Sequence, residues 1–163
     1  MNKKITLFIT ISLVVLMCGS ALAVNTPGVE KNHGVITVLM QENSTLSLGL
    51  EYGITSNIAF TGRYLSEEII LGAKYQLSNN FAVIGGLVSD DIYVGLNTAQ
   101  NFTQRLKGTY EVDMFIYEND YYFPYQAGLI YDLEKNLDIR VGVNGSFDNL
   151  SNVGVTFGMG LVF

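Results

Sequence analysis

Few side chains in this chain of 163 residues are of the types that perform catalysis. There is one histidine, His33, and one cysteine, Cys18. A Ser-His-Asp arrangement needs a histidine held beside its partners, and a His or Cys metal site needs several ligands at defined spacing. Neither can be assembled from this sequence, and His33 falls just before the first predicted strand, where we expect it to be solvated. The sequence therefore predicts no catalytic residue, no cofactor and no enzymatic activity.

Carboxylates are the remaining candidates for chemistry. Glu111 and Asp113 would face the same side of one strand, about 7 Å apart, where two like charges could share acid–base work. Salt bridges to Arg63, Lys74 and Arg140 are the alternative, and the more economical one. We predict that these charges belong to a larger network of both signs. Its members are Glu51, Arg63, Lys74, Glu111, Asp113, Asp132, Asp138 and Arg140.

The elements that carry these charges read as β-strands. From residue 33 to residue 163, apolar and small or polar residues alternate with period two, and turn-forming clusters interrupt them every eight to twelve residues or so. The clearest strands fall in residues 46–52, 69–77, 125–133 and 137–143. Helical periodicity is absent. The pattern predicts an all-β fold, with an up-and-down antiparallel barrel as its architecture.

The connections between these strands are of two kinds. Compact, nearly neutral turns fall at 54–57, 78–80 and 134–136, with a longer neutral-to-basic one from about 99 to 107. Acidic loops fall at 42–45, 66–68, 89–91, 118–120 and 148–152. Because the two kinds alternate, they predict about ten strands with both termini at one end. Eight strands is the alternative, since residues 97–110 could hide a strand extension.

The N-terminus has the form of a secretory signal peptide. Lys3 and Lys4 precede an apolar run that is too short for a membrane-spanning helix and ends in Ala21-Leu22-Ala23, an A-x-A cleavage pattern. Lipidation at Cys18 is the alternative, but the bulky Met17 precedes it. We expect residues 1–23 to be the signal peptide, 24–34 a short N-terminal segment and 35–163 the barrel.

The composition limits the classes of partner that the chain could bind. Without Lys3 and Lys4, seven Lys and Arg stand against fifteen Asp and Glu, a net charge of about −8 that argues against nucleic acid. No cysteine would remain, so disulfides contribute nothing. No later stretch approaches eighteen apolar residues, so the chain could enter a membrane only as strands.

Alternation alone does not distinguish a soluble barrel from a membrane barrel. Three features favour the membrane: the charged, glycine-rich face opposite the apolar one, the tyrosines near strand ends, and the last strand. The tyrosines are Tyr52, Tyr64, Tyr75, Tyr110, Tyr117, Tyr125 and Tyr131. The decisive test is orientation, because Leu48, Leu129, Val141 and Phe157 must point outward. One departure is that the clear apolar stretches span only about eight residues, against about 9–11 for a tilted transmembrane strand.

The last strand resembles that of bacterial outer-membrane β-barrel proteins. Residues 153–163 alternate strictly and end on an aromatic residue, and Thr156, Gly158, Leu161 and Phe163 fit the pattern of the C-terminal assembly signal of these proteins. The resemblance implies export by the Sec route, an outer-membrane location with both termini periplasmic, and two partners, the barrel-assembly machinery and outer-membrane lipid. The enzymes among small outer-membrane barrels imply an active-site histidine near the outer leaflet or outer rim. His33 instead falls on the side that we expect to be periplasmic.

The acidic loops give the one further binding hypothesis. Their carboxylates could form a rim that attracts divalent cations and bridges to lipopolysaccharide phosphates, with Glu67, Glu68, Asp90 and Asp91 as the paired ligands. Ordinary loop solubility is the alternative.

We expect a structural, membrane-integrity role with a largely filled lumen, since eight to ten strands enclose little space. The alternatives are a narrow porin-like channel for small solutes or cations, and a surface adhesion barrel that uses the aromatic segment 113–125.

Overall fold

The computed structural model describes residues 26–28, 30–41, 46–65, 68–118 and 120–163. The predicted signal peptide, together with Glu42 and Glu67, lies outside these residues. The strands are β1 Gly34–Gln41, β2 Leu46–Gly53, β3 Ile58–Leu65, β4 Glu68–Ser78, β5 Phe81–Val88, β6 Asp91–Asn101, β7 Leu106–Ile116, β8 Tyr121–Tyr122, β9 Pro124–Glu134, β10 Leu137–Ser146 and β11 Asn149–Val162. Within the described ranges there is no helix long and apolar enough to cross a membrane.

The strands form one closed antiparallel barrel. Each pairs with its neighbours in the chain, β1 pairs with β11, and the sheet therefore has no open edge. The two residues of β8 continue the line of β9 beside β7, interrupted at Phe123, so the eleven segments make ten barrel strands. The predicted fold class and the count of ten are confirmed.

Residues 97–110, which allowed the alternative of eight strands, do contain strand extensions. β6 runs to Asn101 and β7 starts at Leu106, which reduces the predicted 99–107 connection to a four-residue turn. The predicted 148–152 connection is wrong in a similar way. β10 and β11 meet at Phe147 and Asp148, and pairing resumes at Asn149 opposite Ser146. In both places strand pairing reaches past the point where the apolar alternation ends, continuously between β6 and β7 and across a register shift between Asn144 and Ser146 in the β10–β11 hairpin.

The apolar side chains face outward. Leu48 is 40% exposed, Val141 45% and Phe157 55%, while Leu129 is half-buried in the same outer face. Neighbouring positions such as Thr156 and Arg140 are buried inside the barrel. A soluble barrel would have the opposite arrangement, so the orientation required by the membrane hypothesis is the one found.

Several strands are longer than their apolar stretches. β1, β2, β3 and β5 have 8 residues, β4, β6, β7 and β9 have 11, and β11 has 14. The longer strands reach the length expected of a tilted transmembrane strand because they extend into the loops.

The two ends of the barrel differ. We call the end with the acidic connections the loop end, and the end with the four tight turns the turn end. The first residue of β1 and the last residue of the chain meet at the turn end, where the Gly34 N–H donates to the Phe163 carbonyl at 2.8 Å. Exposed tyrosines lie on the outside near both ends. Tyr52, Tyr75 and Tyr131 lie near the turn end, and Tyr64 and Tyr121 near the loop end.

Candidate functional site in the barrel lumen

All eight predicted network residues face the lumen, but they divide into four separate ion-paired groups. The largest joins Arg63 of β3 to two carboxylates of β7 across the barrel. Arg63 Nη1 lies 2.5 Å from Glu111 Oε1 and 3.5 Å from Asp113 Oδ2. Asn97 of β6 donates to the other Glu111 oxygen at 3.1 Å. One guanidinium thus serves two carboxylates, and the supposed acid–base pair is held by a cation.

This group is deeply buried. The side chains of Glu111 and Asp113 are 1% and 7% exposed, and that of Arg63 11%. Asp113 occupies space that exists because residue 95 on the adjacent strand is glycine. A Cβ at Gly95 would fall 1.9 Å from Asp113 Oδ1. The glycines of the charged face therefore make room for charged side chains inside a narrow barrel.

Lys74 forms the second group. Its ammonium donates to the Glu51 carboxylate and, at 2.7 Å, to the backbone carbonyl of Thr26 in the segment before β1. The Lys74 side chain has no exposed surface. The sequence offered Lys74 and Arg140 as partners of Glu111 and Asp113, but Lys74 pairs with Glu51 of β2 and Arg140 with Asp138, two residues away on its own strand.

The third group lies on β10 and β1. Arg140 binds Asp138 through two donors, Nε to Oδ1 at 2.6 Å and Nη2 to Oδ2 at 2.8 Å, and its Nη1 donates to Thr37 Oγ1 at 3.0 Å. Such a two-point contact fixes both the distance and the plane of the guanidinium.

The fourth group is more exposed to solvent. Lys107 Nζ and Asp132 Oδ2 are 3.1 Å apart with about a third of each side chain exposed. It lies at the turn end, beside a cavity of about 1080 Å³. Gln76, Asn101, Arg105, Lys107, Asp132 and Lys135 are among the residues that line this cavity.

The loop end of the lumen is filled by an apolar group that sequence reasoning missed. Its buried members are Ile70, Ile84, Val88, Tyr93 and Phe115, and we call them the inner apolar cluster. The Tyr93 and Phe115 rings meet edge to face at 5.6 Å, and the Arg63 guanidinium lies 5.8 Å from the Tyr93 ring centre. The available signal was adjacent apolar pairs at loop-end strand positions, such as residues 69–70 and 87–88, where alternation fails.

The acidic rim is only loosely assembled. Glu68 and Asp90 are exposed and Asp91 is half-buried, while Glu67 is outside the described residues. Where the structure describes the chain, no three His, Cys, Asp or Glu residues come together as a metal site. His33 is exposed before β1, with Nδ1 3.7 Å from Glu30 Oε2.

One loop-end carboxylate has a defined structural role. Asp148 Oδ2 accepts the Phe123 N–H at 2.9 Å and lies 2.8 Å from the Ser146 hydroxyl. These hydrogen bonds, the one from Phe123 first, hold the pKa of Asp148 below its usual value. The Phe147 N–H donates to the Phe123 carbonyl at 3.0 Å, so the 147–148 hairpin is tied to the segment between β8 and β9.

The residues of the expected assembly signal alternate as a strand should. Thr156 is buried in the lumen, and Leu161 and Phe163 face outward. Gly158 packs tightly against β1, because a Cβ there would fall 1.9 Å from the Val38 carbonyl oxygen. Recognition of this strand by assembly machinery remains a prediction.

No family model and no curated protein sequence matches the chain. Several solved structures do. A de novo designed transmembrane β-barrel covers 83% of this chain and 99% of its own, with 13% identity and a TM-score of 0.45. The N-terminal β-barrel domain of Pseudomonas aeruginosa OprF covers 82% and 98%, with 14% identity and a TM-score of 0.41. The KdgM porin covers 80% and 99%, with 13% identity and a TM-score of 0.43.

The chain's own strand pairing and side-chain orientation define its class. A closed antiparallel barrel with apolar side chains outside and ion pairs inside is a transmembrane β-barrel.

Proposed function

We propose that the protein is an outer-membrane β-barrel with a structural, membrane-integrity role and a lumen that does not conduct. The observation that carries this proposal is the filling of the loop-end half of the lumen. The inner apolar cluster and the Arg63 group lie against each other there, with their side chains buried. Packed side chains in a barrel of this size leave no wide path for hydrated solutes. No enzymatic activity is part of the proposal.

The outer surface of the barrel supports a membrane location. Between the tyrosines of the two ends, the outside of the strands is covered by Leu, Ile, Val, Phe and Met side chains that are about half exposed. Such an apolar belt is unfavourable in water, while the strands that carry it pair with one another in a closed ladder. Export by the Sec route, periplasmic termini and an outward-facing loop end belong to this proposal. The meeting of Gly34 and Phe163 at the turn end supports that orientation, since both ends of an even-stranded barrel fall on the periplasmic side.

Cell fractionation and gel mobility test the location. We expect the protein in the outer-membrane fraction, with faster migration before boiling than after it, as a closed barrel that resists detergent would show. Recovery in the soluble periplasm, with mobility unaffected by boiling, would refute the membrane proposal.

Conductance in planar bilayers tests the closed lumen. We expect the purified protein to give no sustained current steps. Tyr93→Ala with Phe115→Ala removes two rings of the inner apolar cluster and should produce steps, whereas Val94→Ala on the lipid-facing side should not. Ohmic steps from the unaltered protein would refute the proposal.

A narrow channel is the second candidate, and the turn-end cavity favours it. The cavity holds about 1080 Å³ of space with charges of both signs on its wall, which is the form of a vestibule. The Arg63 group carries one more carboxylate than cation, so such a channel would select cations. The bilayer experiment distinguishes the two candidates, and reversal potentials across a KCl gradient would reveal the selectivity.

We also propose that the acidic loop end takes up divalent cations and bridges them to lipopolysaccharide phosphates. Asp90, Glu118, Asp120 and Asp148 all lie in connections at this end, which concentrates negative potential there. The test substitutes Glu67, Glu68, Asp90 and Asp91 by Gln or Asn and measures thermal stability in lipopolysaccharide-containing micelles with and without calcium. A calcium response that is unchanged by the substitutions would remove the hypothesis.

A further inference from the structure

Thr26 and Pro27, which precede β1, lie in the lumen rather than outside it. Pro27 is fully buried, although it precedes the first strand and the next described residue, Gly28, is exposed. Thr26 accepts a hydrogen bond from Lys74, a lumen residue of β4 that lies 48 positions further along the chain. We call residues 26–28 the N-terminal strap.

The strap separates Lys74 from the turn-end cavity. Thr26, Pro27 and Gly28 belong to the wall of that cavity, as does Glu51. The Lys74 side chain is behind this wall and has no exposed surface, even though a space of about 1080 Å³ lies next to it. An ammonium group so close to a cavity stays dry only while something covers it.

The chemistry of the contact is that of a cover rather than of a structural core. A buried ammonium needs acceptors for its three donors, and the strap supplies one through a backbone carbonyl while Glu51 supplies the charge. Without the strap, Lys74 retains Glu51 and can hydrate from the cavity, which offsets the lost hydrogen bond and leaves the burial of Pro27 as the main cost of displacement.

We infer that the N-terminal strap is a displaceable cover over the Lys74–Glu51 pair, and that its release opens this charged pair to the turn-end cavity. The inference rests on the proposed closed lumen, which it extends from the loop end to the turn end. It assigns the second closure to the chain's own N-terminal segment.

Amine labelling with an acetylating reagent, read by peptide mass spectrometry, tests the inference on the full-length protein in detergent micelles. Lys135, exposed in the turn between β9 and β10, is the internal reference. We expect Lys74 to be labelled at least about tenfold more slowly than Lys135 in the unaltered protein. Pro27→Arg, which sets a second cation beside Lys74, should abolish most of that protection. Gly28→Ala is the matched control, because a Cβ at Gly28 meets nothing within 4 Å.

Deletion of residues 26–28 is the second variant. It tests the inference if Pro27→Arg does not fold. Gel mobility shows whether each variant is folded. Equal labelling of Lys74 and Lys135 in the unaltered protein would overturn the inference, as would protection of Lys74 that persists in the folded variants. Conductance is recorded separately. A conducting protein whose Lys74 still responds to strap changes would refute the closed lumen but keep the strap.

Discussion

Replacing Arg63 by methionine should destabilise the barrel severely. Methionine keeps most of the volume but removes the cation that the described part of the chain places beside Glu111 and Asp113, whose side chains are 1% and 7% exposed. Removing one partner of a buried ion pair costs about 3–5 kcal/mol, mainly because a charge is left without compensation. Here two carboxylates lose their cation, so we expect a cost at the upper end of that range.

A triple variant separates lost charge from lost packing. Adding Glu111→Gln and Asp113→Asn to Arg63→Met removes all three charges and should return stability to within about 1 kcal/mol of the unaltered protein, since replacing a whole buried ion group is often neutral. Arg105→Met, in the exposed turn between β6 and β7, is the control and should change stability by less than about 0.5 kcal/mol.

Urea unfolding in lipid vesicles measures these differences. The chain contains no tryptophan, so the folded fraction is read from gel mobility rather than from tryptophan fluorescence. A cost below about 1 kcal/mol for Arg63→Met, or a triple variant as unstable as the single one, would contradict the stabilising role of this buried ion group.

Three further predictions follow from the same structure. Leu50→Arg, on the lipid-facing side of β2, should cost about 2–4 kcal/mol in vesicles, and a neutral result would indicate that this face meets water. Gly158→Ala should slow or prevent refolding because the added Cβ meets the β1 backbone, whereas Gly62→Ala has ordinary contacts and should refold normally; equal refolding yields would contradict this. The lowered pKa of Asp148 means that its hydrogen bonds stabilise the fold above the carboxyl's unfolded pKa, and that this contribution disappears as the pH falls through the folded pKa. Asp148→Asn should therefore flatten the acid limb of the stability–pH curve, and thermal unfolding between about pH 2 and pH 6 would reveal an unchanged limb if the assignment is wrong.

Much of the fold could be predicted because short-range sequence patterns specify its strands and turns. Period-two alternation identifies strands, and the alternation of acidic loops with neutral turns gives the count of ten. The strand limits were less accessible. The turn at 102–105 and the hairpin at 147–148 are tighter than predicted, because strand pairing includes polar residues that a hydrophobic pattern does not mark as strand, in the hairpin beyond a register shift.

The lumen could be predicted only in part. Alternation indicates which side chains share a face, so the eight charged residues could be grouped. Their partners could not be assigned, because Arg63 and Glu111 are 48 residues apart and meet only through the stagger of the closed barrel. The inner apolar cluster was missed for a related reason, since apolar residues on the charged face look like interruptions of the pattern.

The sequence by itself determined that the chain forms about ten short strands, that one face of each is apolar, and that both ends of the barrel domain fall on the same side. Only the tertiary structure decided which face is outside, because a period-two pattern is identical for a barrel with an apolar core and for one with an apolar exterior. Closure of the sheet places Leu48 and Phe157 outside and Arg63, Lys74 and Arg140 inside. It also brings Thr26 to Lys74, a contact that no local pattern encodes.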